Sequence, residues 1–251
     1  MEPVYGALML GLRDYVNKNG FKGIILGLSG GIDSALSAAI ATDALGPERV
    51  HCVMMPSPYT SRESLDDAAE CAGLLGARLD TVGIEPAMRA FDGMLAPVFD
   101  ALAPDTTEEN IQARSRMITL MAISNKLGHM LLSTGNKSEM SVGYATLYGD
   151  MAGGYNVLKD VYKTTVYALA RWRNQALPRG ALGPGGRVIP ERIITKAPTA
   201  ELRPNQTDQD SLPPYEALDD ILEGLIEQEL GVEEIAARGH EAATEIGRAH
   251  V

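Results

Sequence analysis

The stretch Gly23–Leu36, GIILGLSGGIDSAL, runs a short apolar segment into Ser29-Gly30-Gly31 and then sets Asp33 and Ser34 at the start of a helix-forming run. Glycines let backbone N–H groups approach an anion closely, and a helix N-terminus adds partial positive charge. The hydroxyls of Ser29 and Ser34 supply further donors. Asp33 would repel a phosphate, so an acid at this place makes chemical sense where it holds Mg2+. Taken alone, Ser-Gly-Gly reads as a tight turn with Asp33 capping the helix. The whole string SGGxDS behind an apolar strand is more specific and points to a nucleotide-phosphate cradle. It is neither the GxxxxGK[ST] loop, because no Lys follows the glycines, nor the GxGxxG fingerprint.

Such a cradle needs a strand before it and a helix after it, and the chain supplies both repeatedly. Tyr5 to Asn17 has helical spacing of Leu8, Leu12, Tyr15 and Val16, with Gly20 as a stop. GIILGL is a buried strand, and a helix runs from Asp33 to Gly46. VHCVMMP, RLDTVGI and HMLLSTGN read as three more strands. Between them, SRESLDDAAECAGLLG, EPAMRAFDGMLAPVFDALA (broken by Pro97) and a long run from TEEN to Lys126 read as helices. This alternation predicts parallel βαβ units: an α/β fold with a doubly wound parallel sheet flanked by helices. Two stretches rich in Gly and Pro or turn residues, NQALPRGALGPGGRVIPE and ELRPNQTDQDSLPPYE, predict long loops, which in a compact domain are lids or disordered. YEALDDILEGLIEQEL is an acidic amphipathic helix, and no internal repeat is present.

With 251 residues, 45% of them hydrophobic and 22% charged, the chain can build one large core. A formal charge of −11 argues against a nucleic-acid partner, which calls for a basic face. The only cysteines, Cys52 and Cys71, form no CxxC pair, which fits a reducing cytoplasm. The N-terminus does not read as a secretory signal, and no apolar stretch approaches the ~20 residues that span a bilayer. His51, His129, His240 and His250 are scattered and receive no role.

The loop resembles that of the ATP pyrophosphatase family, with its adenine nucleotide alpha-hydrolase-like fold. Members adenylate a carboxylate or carbonyl, release pyrophosphate and admit a nitrogen or sulfur nucleophile; they include GMP, asparagine, argininosuccinate and NAD synthetases and tRNA thiolases. Further strings are similar to NAD synthetase: EENIQARSRM (Glu108–Met117), STGNKSE (Ser133–Glu139), YGD (Tyr148–Asp150) with Lys163 and Thr164, and KAPTAEL followed by QDSLPPYE. The resemblance implies that ATP adenylates deamido-NAD and that ammonia then yields NAD and AMP. It assigns ATP contacts to Gly27, Leu28, Ser29, Gly30, Gly31, Ile32, Asp33, Ser34, Thr134, Lys163 and Thr199. Deamido-NAD falls to Asn110, Arg114 and Glu139, Mg2+ to Asp33 and Glu139, and catalysis to Asp33, Glu139 and Lys163. Asn110 and Arg114 lie one helical turn apart and share a face. A homodimer or larger homo-oligomer is also implied.

Shorter, ammonia-dependent members carry a Lys before the YGD-like triplet and an Asp soon after; here those positions hold Leu147 and Gly154. The departure points to the glutamine-dependent branch, whose full-length members add an N-terminal glutaminase domain with a Glu-Lys-Cys constellation. Residues 1–244 are expected to form the synthetase domain, using free ammonia. The closing EIGRAHV, 245–251, stands where a further helix and basic tail are expected, and reads as a sequence artefact.

Overall fold

Among the described residues, five strands lie side by side, all parallel: β1 (Ile24–Gly27), β2 (Val50–Met54), β3 (Arg78–Thr81), β4 (Met130–Ser133) and β5 (Tyr155–Asn156). A computed structural model describes residues 1–100 and 102–240, so the closing segment 245–251 and the tail expected there lie outside the described residues. The order β3-β2-β1-β4-β5 means that the chain builds outward from β1 to one edge and then returns to extend the other. The strand order therefore reverses between β1 and β4, the place where open parallel sheets open a crevice at their carboxyl ends. Ile24 pairs with Val50 on one side and Met130 on the other.

Alternation along the strands sends side chains into two apolar layers. Ile24, Leu26, Val50, Cys52 and Leu132 join one cluster with α1 (Glu2–Lys18), α2 (Ile32–Leu45) and α3 (Arg62–Leu75). Ile25, Val53 and Leu131 face the other way, toward Met88 of α4 (Glu85–Phe99) and Leu120 of α5 (Thr106–Leu127). Every residue of α2 except Asp33 is buried, so this helix of small residues has no solvent face. At α5 the chain starts with a reciprocal cap: Asp105 accepts from the Thr107 N–H, and Glu108 accepts from the Asp105 N–H. The remaining helices are α6 (Lys137–Ser141), α7 (Lys163–Gln175), α8 (Glu191–Thr195), α9 (Tyr215–Ile226) and α10 (Val232–Ala236).

Two expectations need correction. Pro97 does not break its helix, because α4 continues to Phe99. Proline removes its own N–H bond to the carbonyl four residues back, but its fixed φ is compatible with a helix, so Val98 and Phe99 follow in helical conformation. The first Gly/Pro-rich stretch is neither a lid nor loose. Arg173, fully buried on α7, donates to the carbonyls of Pro184 and Gly186 at 2.7 and 3.2 Å. Asn174 binds the backbone of Val188 and Ile189, both of which are core residues.

The same guanidinium forks onto Asp43 of α2 at 2.6 and 3.0 Å, and Asp43 also accepts from the Tyr5 hydroxyl of α1 at 2.7 Å. Three helices thus share one buried carboxylate, and its guanidinium partner also holds the loop. Removing one partner of a buried ion pair strands the other charge without water, so Asp43→Ala is expected to cost about 3–5 kcal/mol. Tyr5→Phe, which deletes one hydrogen bond to a charged group, should cost only about 1.5–3 kcal/mol. Urea unfolding of both variants checks the order; a loss under about 1 kcal/mol for Asp43→Ala would show that the pair is not holding the helices together.

Candidate active site

Ser29 to Ser34 leave the carboxyl end of β1 and turn into α2. The turn is tied by its own hydroxyls: Ser34 Oγ donates to the Gly31 carbonyl at 3.0 Å and accepts from the Ser29 N–H at 3.2 Å. Gly30 has φ +81°, and a Cβ there would lie 2.3 Å from the Ser64 carbonyl oxygen, so only glycine fits. Asp33, one residue into α2, faces a cavity of about 280 Å3 that Ser29, Gly31, Ile32 and Ser34 also line.

Across that cavity, β4 ends at Ser133 and Asn136 caps α6. Asn136 is fully buried; its Oδ1 accepts from the Glu139 N–H at 3.0 Å while its Nδ2 donates to Asp33 Oδ1 at 2.9 Å. One amide therefore holds both the Asp33 carboxylate and the backbone of Glu139. The cation that joins them is Lys163, the first residue of α7. Its Nζ lies 2.6 Å from Asp33 Oδ2 and 2.8 Å from Glu139 Oε1. Asp219 of α9 holds this helix start in place, accepting from the Thr164 N–H at 2.8 Å and from Ser138 Oγ at 2.5 Å. Ser138 Oγ in turn accepts from the Lys163 N–H at 2.8 Å.

Lys163 is only 2% exposed, whereas the side chains of Asp33 and Glu139 keep 18% and 17%, so the acids remain open to the cavity. Negative charge outweighs positive here, since Asp208 shares the lining. Burial and the Asp33 charge push the Glu139 carboxyl up to about 7, against the pull of Lys163. Burial likewise raises Asp208, which accepts from the Tyr215 hydroxyl at 2.7 Å. For Lys163, burial opposes the charged form, but the two carboxylates outweigh it and hold the ammonium protonated well above its usual range.

Two hard oxygen donors suit Mg2+, which takes one or two carboxylates and completes its shell with phosphate oxygens and water. Among the described residues no cluster of three or more His, Cys, Asp or Glu is set to hold a metal.

A second cavity of about 260 Å3 adjoins the first and shares Ser29, Ser133, Thr134, Asp150 and Glu201 with it. Gly27 and Leu28 line this one, with Val53, Met55 and Leu131 as its apolar floor. Thr199 lines the first cavity, its hydroxyl donating to the Gln206 carbonyl at 2.6 Å. The structure thus brings together nearly all the residues implicated by sequence. Asn110 and Arg114 stand apart. Asn110 is buried and accepts from Thr146 Oγ1 at 2.9 Å, and Arg114 Nε donates to the Leu147 carbonyl at 3.2 Å; neither lines the two cavities.

Several site residues escape the sequence reading. Asn136 leaves a trace, since Asn followed three residues later by Glu is a helix-start pattern. Glu201 and Tyr215 lie within the strings KAPTAEL and QDSLPPYE but receive no role there, and Asp208 falls just outside them. Arg116 lines the second cavity, tethered by Nε to the Met55 carbonyl at 3.2 Å, and burial lowers its guanidinium to about 10.

The NAD synthase family pattern matches residues 4–248. A glutamine-dependent NAD(+) synthetase of Rhodobacter capsulatus is 62% identical over 244 residues, 97% of this chain and 44% of that protein. Among solved structures, glutamine-dependent NAD+ synthetase from Acinetobacter baumannii in complex with ADP is 49% identical with a TM-score of 0.73, covering 96% of this chain and 42% of that one. NMN synthetase from Francisella tularensis is 29% identical with a TM-score of 0.77, covering 96% and 94%. The chain spans less than half the length of the curated relatives it matches. No helix among the described residues is long and apolar enough to cross a membrane.

The raised Glu139 carboxyl has a stability consequence. The native state keeps this proton where an unfolded Glu, with its ordinary value near 4.5, has lost it. Native protein then binds more protons than unfolded between about 4.5 and 7, so this group's contribution falls as pH rises through that window. Urea melts in metal-free buffer should show wild type losing stability relative to Glu139→Gln from pH 5 to 7, by at most about 1.4 kcal/mol per pH unit. A constant difference would mean that the carboxyl is not held above its ordinary range.

Proposed function

This chain belongs to the NAD synthase family, and we propose that it catalyses ATP-dependent amidation of deamido-NAD to NAD, with ammonia as the nitrogen source. The supporting observation is the Lys163 ammonium set between Asp33 and Glu139 beside the Ser-Gly-Gly turn. In this reading the backbone N–H groups of the turn and the hydroxyls of Ser29 and Ser34 receive the phosphates of ATP. The adjoining apolar cavity receives the nucleoside. Asp33 and Glu139 hold Mg2+, which supplies charge neutralisation for the phosphates.

A nicotinate carboxylate oxygen of deamido-NAD attacks the α-phosphorus, the bond to the bridging oxygen breaks, and pyrophosphate leaves with that electron pair. Ammonia then adds to the activated carbonyl carbon, sheds a proton, and AMP departs with the oxygen. Lys163 stabilises charge that builds on the leaving pyrophosphate, and the turn keeps donors aimed before reaction begins, so alignment supplies much of the rate. Asn110 and Arg114 bind the dinucleotide. Their place just outside the lining of the two cavities fits a long ligand that reaches beyond them. Full-length relatives' use of glutamine suggests that a glutaminase domain normally delivers the ammonia to this domain. A homodimer fits the apolar side chains Met94 and Val98 of α4 and Ile118 of α5, all more than half exposed.

The test is NAD formation from deamido-NAD, Mg·ATP and ammonium, with AMP and pyrophosphate followed together. The expected result is one AMP per NAD, no turnover with glutamine in place of ammonium, and a fall in kcat of at least about 100-fold for Lys163→Met. ATP binding without AMP or NAD would instead support a nucleotide-holding domain that does not turn over. NAD formation from glutamine at a similar rate would overturn the ammonia assignment.

A further inference from the structure

Thr199 sits on a segment pinned at both ends to the first two turns of α3. At one end, Lys196 Nζ donates to Asp67 Oδ2 at 3.0 Å and to Ser64 Oγ at 3.2 Å. At the other, Glu201 Oε1 accepts from Ser61 Oγ at 2.7 Å and from Ser64 Oγ at 2.8 Å. Ser64 serves both pins and is itself buried. The carbonyl of this same residue packs against Gly30, where a Cβ would come within 2.3 Å of it. One turn of helix therefore touches the phosphate-loop backbone on one side and carries the Thr199 segment on the other.

The segment is also held from within. Glu201 has φ +50°, a left-handed conformation that residues other than glycine seldom adopt, so its surroundings must impose it. Its N–H donates to Thr199 Oγ1 at 3.2 Å. The following residue, Leu202, is fixed through its carbonyl to Gln112 Nε2 and through its N–H to Gln206 Oε1, each at 2.8 Å. A strained backbone at Glu201 and a carboxylate turned onto the N-terminal end of a fourteen-residue helix belong to one device.

We infer that Glu201 is a positioning residue for the nucleotide site: bound to Ser61 and Ser64, it clamps residues 196–201 onto α3 so that Thr199 is held in fixed relation to the phosphate loop. The inference rests on the nucleotide reading of that site. Glu201 acts here through the two serines and needs no contact with the nucleotide.

The experiment pairs calorimetric titration with ATP against hydrogen exchange of residues 196–206, in wild type, Glu201→Ala, Glu201→Gln and Ser64→Ala. Loss of hydrogen bonds to a charged group should weaken ATP binding about tenfold in Glu201→Ala, with Ser64→Ala shifted in the same direction. Exchange across 196–206 should be faster in both without ligand. Glutamine retains the Oε1 acceptor that both serines use, so Glu201→Gln should bind within about threefold of wild type. A merely structural role would lower Tm and leave the affinity of the folded variants unchanged, which would overturn the inference. Unaltered exchange in Glu201→Ala would overturn it as well. Should Glu201→Ala not fold, Ser64→Ala decides between these outcomes. If wild type itself fails to bind ATP, the nucleotide reading falls, while the exchange comparison still tells whether Glu201 clamps the segment.

Discussion

An ammonium between two carboxylates, all three drawn largely out of water, is the constraint on which this molecule's architecture depends. Taking Lys163 from solvent is costly unless its partners are fixed at hydrogen-bonding distance. Three separate devices fix them. The β1–α2 turn delivers Asp33, the Asn136 cap delivers Glu139, and Asp219 anchors the start of α7 that carries Lys163. Burial above all, with the Asp33 charge beside it, raises the Glu139 carboxyl against the pull of Lys163. A site in that condition gains from any further cation or proton.

Sheet topology decides where this trio forms. The carboxyl ends of β1 and β4 are adjacent because β1 pairs with both β2 and β4, and the chain turns away in opposite directions from that seam. The cavity with the charges and the cavity with the apolar floor meet at the seam, through Ser29 and Thr134. At the other end of α2, Asp43 binds Arg173 of the same helix that begins with Lys163. Helices α2 and α7 are therefore fastened to each other at both ends, by an open ionic contact in the site and a closed one in the core.

Much of the fold is legible in the residue pattern. Four strands are read from the sequence, three of them as short apolar runs, and the phosphate turn announces itself as SGGxDS. β5 does not, because two residues carry no periodicity. Composition marks the stretch after α7 as a loop. That it packs into the core away from the site depends on Arg173 meeting Asp43, a contact between residues 130 apart in the chain. Asp33 can be read from its string, whereas the burial of Lys163 cannot: a lysine opening a helix is ordinarily solvated, and only the assembled tertiary structure surrounds it with acids. The same limit applies to Asp208 and Glu201, whose partners lie on remote elements.

The burial of α2 on every side has a consequence for how such a chain can change over time. Its fourteen positions offer no water-facing surface except the one that carries Asp33. A neutral substitution normally finds room on an exposed flank, and α2 has none, while α4 buries no residue at all. Lineages sharing this fold should therefore change hardly at all along α2, with most accepted changes there being swaps among small side chains.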